Sequence, residues 1–111
     1  MTVKELAQTL NLKVCSGEKG LDNQITGGYT SDLLSDVMGN IEAGMVWITL
    51  QTHVNVTAIA SLKEVAAVII VKNLQPEANT IENSNNEAIP ILSTTENTFD
   101  ITGKIFNLLH K

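Results

Sequence analysis

Residues 45–71, MVWITLQTHVNVTAIASLKEVAAVIIV, decide the fold. Met45 to Leu50 and Ala67 to Val71 are apolar runs, the second rich in β-branched residues. Runs of that length and composition suit strands covered on both faces. Between them Val54 to Val65 reads as a helix, with Ala58, Leu62 and Val65 expected on its inner face. A strand, a helix and a second strand in that order predict a parallel pair joined by a right-handed crossover.

Downstream the alternation continues. Pro76 is placed to open a helix over Glu77 to Glu87. Asn79, Asn83, Asn85 and Asn86 weaken that helix. Ile89 to Leu92 reads as a strand. A last helix from about Glu96 to Leu109 is expected to bury Ile101, Ile105, Leu108 and Leu109. Upstream, Thr2 followed by Glu5 forms a capping-box signature. Val3, Leu6, Ala7 and Leu10 then recur at helical spacing, and the helix ends near Asn11. Leu12 and Val14 suggest a short strand, and Ser16 to Asn23 a loop. Ile25 to Thr30 reads as a strand broken by two glycines. Ser31 or Asp32 would cap a short helix running to Met38, stopped by Gly39. The fold class expected is α/β: a small layered domain, its mostly parallel central sheet flanked by helices.

Composition narrows the function. The chain has 111 residues, 43% of them hydrophobic, which is enough for one domain with a real core, residues 1–111. Its net charge is −5, and all seven cations are lysines. Without arginine, bidentate grip on phosphate or guanine is missing, so no nucleic-acid partner is expected. Cys15 is the single cysteine, which predicts a reducing, cytoplasmic setting. No apolar run is long enough for a bilayer span, so no membrane partner is expected.

Two polar stretches carry the candidate chemistry, and each is expected where a strand ends, at one common rim. In Thr26-Gly27-Gly28, paired glycines could present successive N–H groups as an anion nest. A bulge or tight turn without a ligand is the stronger of the two readings. In Gln51-Thr52-His53-Val54-Asn55, Thr52 could cap the following helix. The helix start would then attract phosphate or carboxylate, with His53 as a titratable donor. A solvated turn is the plain alternative. Ser31 and Asp32 read more readily as a cap than as a dyad. The candidate ligand-binding set is therefore Thr26, Gly27, Gly28, Ser31, Asp32, Gln51, Thr52, His53 and Asn55.

Catalysis finds no support. There are two histidines, His53 and His110, and no Gly-x-Ser-x-Gly elbow. Cys15 is expected to be a buried core thiol. Cys15, His53 and His110 lack metal-ligand spacing, and no P-loop is present. No catalytic residue, metal or cofactor is expected. Trp47, mid-strand, is expected in the core with a partner for its indole N–H.

ITGGYTSDLLSDVMGN, GMVWITLQTHVNVTAIA, AAVIIV and IPIL together resemble the DRTGG domain family, from Val3 to Leu109. The characteristic residues of that family fall at Asp22, Thr26, Gly27 and Gly28, and Asn23 stands where the family has arginine. VKELAQTLNLKVCSG and the C-terminal NEAIPILSTTENTFDITGKIFNLL are also similar to the N-terminal domain of HPr kinase/phosphorylase, and more remotely to that of the Mur ligases. The resemblance implies a layered α/β fold and a regulatory or dimerising role without activity of its own. The expected function is thus a non-catalytic cytoplasmic regulatory module, homodimeric, sensing a small anionic metabolite or nucleotide. The alternative is a pure interaction subunit docking on a kinase or redox enzyme. A small phosphoesterase acting through His53 is a distant third, since a lone histidine lacks a second acid or base.

Overall fold

In a computed structural model describing residues 1–111, the two apolar runs lie side by side at the centre of a five-stranded sheet. The strands are β1 (Lys13–Ser16), β2 (Gly27–Thr30), β3 (Met45–Thr49), β4 (Ala67–Ile70) and β5 (Ile91–Ser93). Their order across the sheet is β1-β5-β4-β3-β2. The four strands β2 to β5 run parallel, and β1 closes the far edge antiparallel to β5.

The helices are α1 (Val3–Thr9), α2 (Leu34–Asn40), α3 (Asn55–Lys63), α4 (Ala78–Glu87) and α5 (Thr98–Leu109). Because β2, β3, β4 and β5 step across the sheet in one direction, right-handed crossovers put α2, α3 and α4 on one face. There Val37, Trp47, Ile59, Ala60, Val68 and Ile91 form one apolar cluster. On the other face α1 and α5 contribute Val3, Leu6, Ile101 and Ile105 to a second cluster with Val46, Ile48 and Ile69. Burial on both faces explains why AVII is continuously apolar: all four residues are inaccessible.

Local signals explain several element ends. Thr2 and Glu5 make the full capping box, with the Glu5 carboxylate accepting from the Thr2 N–H at 2.9 Å. That backbone bond, followed by the Thr2 hydroxyl, holds the Glu5 carboxyl below its usual range. Asn97 caps α5 through its side chain, so the helix begins at Thr98 rather than near Glu96. Leu108 and Leu109 are half-buried there, not core.

Other expectations are corrected. Pro76 sits one residue before the α4 N-cap Glu77, not at the first helical position. The inner face of α3 carries Val56, Thr57, Ile59 and Ala60, while Ala58 is exposed and Leu62 is 67% exposed. Apolar residues encircle that helix, so periodicity could not choose the face. Cys15 is half-buried on the edge strand β1, with its Sγ near the Gln75 Oε1 at 3.8 Å. Trp47 is fully buried, and its Nε1–H donates to the Ser31 carbonyl at 2.8 Å. No helix is long and apolar enough to cross a membrane.

Candidate functional site

The glycine pair does not form a turn. Gly27 and Gly28 are extended residues of β2, in register with Met45 and Val46, and neither has positive φ. A nest needs alternating left-handed backbone, so the pair builds none. A Cβ on Gly28 would meet the Val46 Cγ2 at 3.5 Å, an ordinary contact. Nothing forces glycine at this position; its effect is to leave the sheet surface open.

The two polar stretches also lie at opposite ends of the sheet. Gly28 is level with Val46 near the start of β3, whereas Gln51 to Asn55 follow its end at Thr49. Three residues of strand, about 10 Å, separate those levels before the loop begins. Ser31 and Asp32 leave β2 at its carboxyl end, beside the Gln51 loop. The structure thus brings together Ser31, Asp32 and Gln51, with Thr52, His53 and Asn55 following in the same loop, and leaves Thr26, Gly27 and Gly28 at the amino side.

At the carboxyl rim these residues are tied into the scaffold. Asp32 does not cap α2, whose N-cap is Leu33 without a side-chain bond. Its Oδ1 instead accepts from the Thr49 hydroxyl at 2.9 Å and the Leu50 N–H at 2.8 Å. Gln51 returns its amide to the Asp32 carbonyl at 2.9 Å. Ser31 accepts the Leu33 N–H at 3.2 Å. Thr52 does not cap α3; its carbonyl takes the Thr80 hydroxyl at 2.9 Å and the Glu77 N–H at 3.2 Å. The N-cap of α3 is Val54, without a side-chain cap bond, and just before it the His53 Nδ1 accepts the Asn55 N–H at 3.1 Å. The Val56 and Thr57 N–H groups bond to the His53 and Val54 carbonyls. The Asn55, Val56 and Thr57 N–H groups at the start of α3 are therefore already taken within the chain. The His53 and Asn55 side chains face solvent.

Tyr29 and Asp36 form a second polar unit between β2 and α2. The Tyr29 hydroxyl lies 2.9 Å from both Asp36 carboxylate oxygens, and Asn40 donates to the same group at 3.1 Å. The Ser31 hydroxyl, then Tyr29 and Asn40, hold the Asp36 carboxyl below its ordinary range. The bond to Asp36 pushes the Tyr29 phenol up. No group of three or more His, Cys, Asp or Glu residues could hold a metal.

Two concave regions bear on function, and the sequence reading touched only the second, through Thr26, Gly27 and Gly28. A polar cleft of about 320 Å³ opens beyond β4 and β5 at the carboxyl rim, lined by Asn11, Lys13, Asn73, Thr94, Thr95 and Glu96. Its turn holds two successive non-glycine residues in left-handed backbone, Lys72 (φ 61°) and Asn73 (φ 57°). Such residues cost energy and cluster at functional sites. The Lys72 and Asn73 N–H groups are held by the Glu96 and Thr94 carbonyls at 2.9 and 2.7 Å. The only trace in the sequence is the Lys-Asn pair just after AVIIV. The other region, about 370 Å³, lies between β2 and α5, with Gly27, Gly28, Ile48, Ile105, Phe106 and Leu109 on its walls.

The comparisons agree with this architecture. The family model described as DRTGG domain matches residues 5–108, and the chain belongs to that family. No curated protein matches the chain. Among solved structures, it is similar to the CBS and DRTGG domains of the regulatory region of Clostridium perfringens pyrophosphatase, a structure complexed with the activator diadenosine tetraphosphate. The TM-score is 0.72 at 14% identity, over 95% of this chain and 45% of that one. This chain therefore spans less than half the length of that relative, and the likeness is one of fold.

Proposed function

We propose, with DRTGG membership as the premise, that this chain is a regulatory module that recognises an effector without transforming it. The observation that carries the reading is the carboxyl rim. Asp32, Gln51, Thr52 and His53 are occupied as struts, and none is paired as acid and base. In parallel α/β sheets this rim is where ligands are met. The effector class is a small anion or nucleotide, by analogy with the activator named for the pyrophosphatase regulatory region. Its place on this chain is the cleft beyond β4 and β5, where Lys13 supplies charge and Asn73 and Thr95 supply hydrogen bonds. The free edges of His53 and Asn55 extend the same rim. Self-association as a homodimer is part of this reading.

The test is thermal unfolding of the chain with adenine nucleotides, diadenosine tetraphosphate and phosphorylated metabolites at millimolar concentration. A ligand at about 100 times its Kd stabilises by about 2.7 kcal/mol, a rise of several degrees for a domain of this size. The expected result is such a rise with at least one nucleotide, lost in Lys13→Ala. No shift across the panel overturns the effector half of the proposal.

A further inference from the structure

The two edges of the sheet are built differently. β1 carries the exposed Lys13 and a register irregularity between Val14 and Ser16. Charge and bulges are the devices that keep an edge strand from pairing. β2 has none of them. Gly27-Gly28-Tyr29-Thr30 is unbroken in register, carries no charge and no proline, and has no strand on its outer side.

The surface beside it is apolar and unpartnered. Phe99 and Phe106 on α5 are 86% and 58% exposed, and Leu33, just past β2, is 64% exposed. Of the eleven residues lining the groove between β2 and α5, none is Asp, Glu or Lys. A chain of net charge −5 meets the least self-repulsion where its own charges are absent.

We propose that β2 and the adjoining face of α5 pair with the same surface of a second copy, antiparallel across a two-fold axis near Tyr29. The surface is self-complementary. Thr30 and Thr102 are joined by hydroxyls 3.0 Å apart, which fixes α5 against the strand. Phe99 lies one helical turn before Thr102, beyond the carboxyl end of β2. The groove over Gly27 and Gly28 lies at the amino end. A two-fold axis perpendicular to the strand exchanges these ends, and so lays the Phe99 ring of each copy into the glycine-floored groove of the other. The missing side chains at Gly27 and Gly28 then have a purpose the monomer does not supply. At 86% and 58% exposure the four phenylalanine rings have roughly 400–700 Å² left to bury. With Leu33, Leu109 and the strand edges, the contact reaches the scale of about 1,000 Å² that separates specific interfaces from chance ones.

This inference rests on the self-association part of the function proposed above, and the experiment separates the two. Sedimentation at micromolar concentration is expected to show twice the 12.0 kDa mass of the chain. Phe99→Asp and Gly28→Val are expected to weaken association at least about 30-fold. Circular dichroism should report both variants folded, since Phe99 is exposed and Gly28 has room. A wild-type monomer overturns self-association itself, and leaves the surface to a different protein partner. A dimer indifferent to these variants overturns this surface while self-association stands.

Discussion

The strands β1 and β2 are both four residues long and both lie at an edge, yet they treat glycine in opposite ways. Gly17, just after β1, has φ 71°, and a Cβ there would stand 2.0 Å from the Ile89 carbonyl oxygen. Backbone must pass backbone at that point, and only glycine fits. Around it the edge is pinned. The Ser16 and Ser84 hydroxyls are 2.7 Å apart, Ser84 donates to the Ile89 carbonyl at 2.8 Å, and the Gly17 N–H reaches Asn85 at 2.7 Å. Gly27 and Gly28 meet no such demand. One edge is closed by necessity, and the other is open although nothing local requires it to be. A residue type by itself therefore does not say whether a site is structural; the neighbours do.

The contrast is sharpest at the glycines. Gly17→Ala should cost about 2–4 kcal/mol in chemical denaturation, combining left-handed strain with a backbone collision. Gly28→Ala should leave the monomer about 0.5 kcal/mol more stable, since alanine loses less chain entropy in a strand. Equal losses from the two would erase the distinction. Next in size is Ser84→Ala, which strips a buried hydroxyl from the closed edge and leaves the Ser16 hydroxyl and Ile89 carbonyl short of a partner. About 1–3 kcal/mol should be lost. The equivalent cut at the open edge, Thr102→Ala, breaks a solvent-exposed bond and should change monomer stability by no more than about 0.5 kcal/mol.

Smallest is the pH response of the Tyr29–Asp36 bond behind the open edge. Asp36 titrates lower in the folded protein than its ordinary 3.8, so its contribution is full above that value and fades as pH falls below it. The Tyr29 phenol titrates above its ordinary 10.0, so its contribution is full below that value and fades as pH rises beyond it. The stability difference between wild type and Tyr29→Phe should therefore be flat near neutrality and shrink at both extremes. A difference independent of pH would mean the pair adds nothing.

The parts of the molecule governed by neighbours in sequence were legible before any coordinates. Thr2 and Glu5 capped α1 as their spacing predicts, the apolar runs became buried parallel strands, and Trp47 found its acceptor. What could not be read involved a choice between local and distant partners. Asp32 had a helix start within reach and bonded instead to Thr49 and Leu50, seventeen and eighteen residues on. Thr52 does not cap α3, which starts from Val54, and its carbonyl receives Thr80 and Glu77 instead. The glycine pair looked like punctuation, because the sequence does not reveal that β2 lies at an edge, where an extended glycine needs no packing partner. The cleft at Asn73 and Thr94 is assembled from segments far apart in the chain, and no spacing announces it.

The antiparallel pairing of β1 with β5 also has a bearing on how the chain acquires its shape. Lys13 to Ser16 leave the ribosome well before their strand partners, Ile91 to Ser93. β2, β3 and β4, each a short step from the next, can assemble meanwhile. Contacts of long sequence separation form slowly because a large loop must close first. β1 should thus be the last of the five strands to dock, which pulsed hydrogen exchange during refolding would read as late protection of its amides.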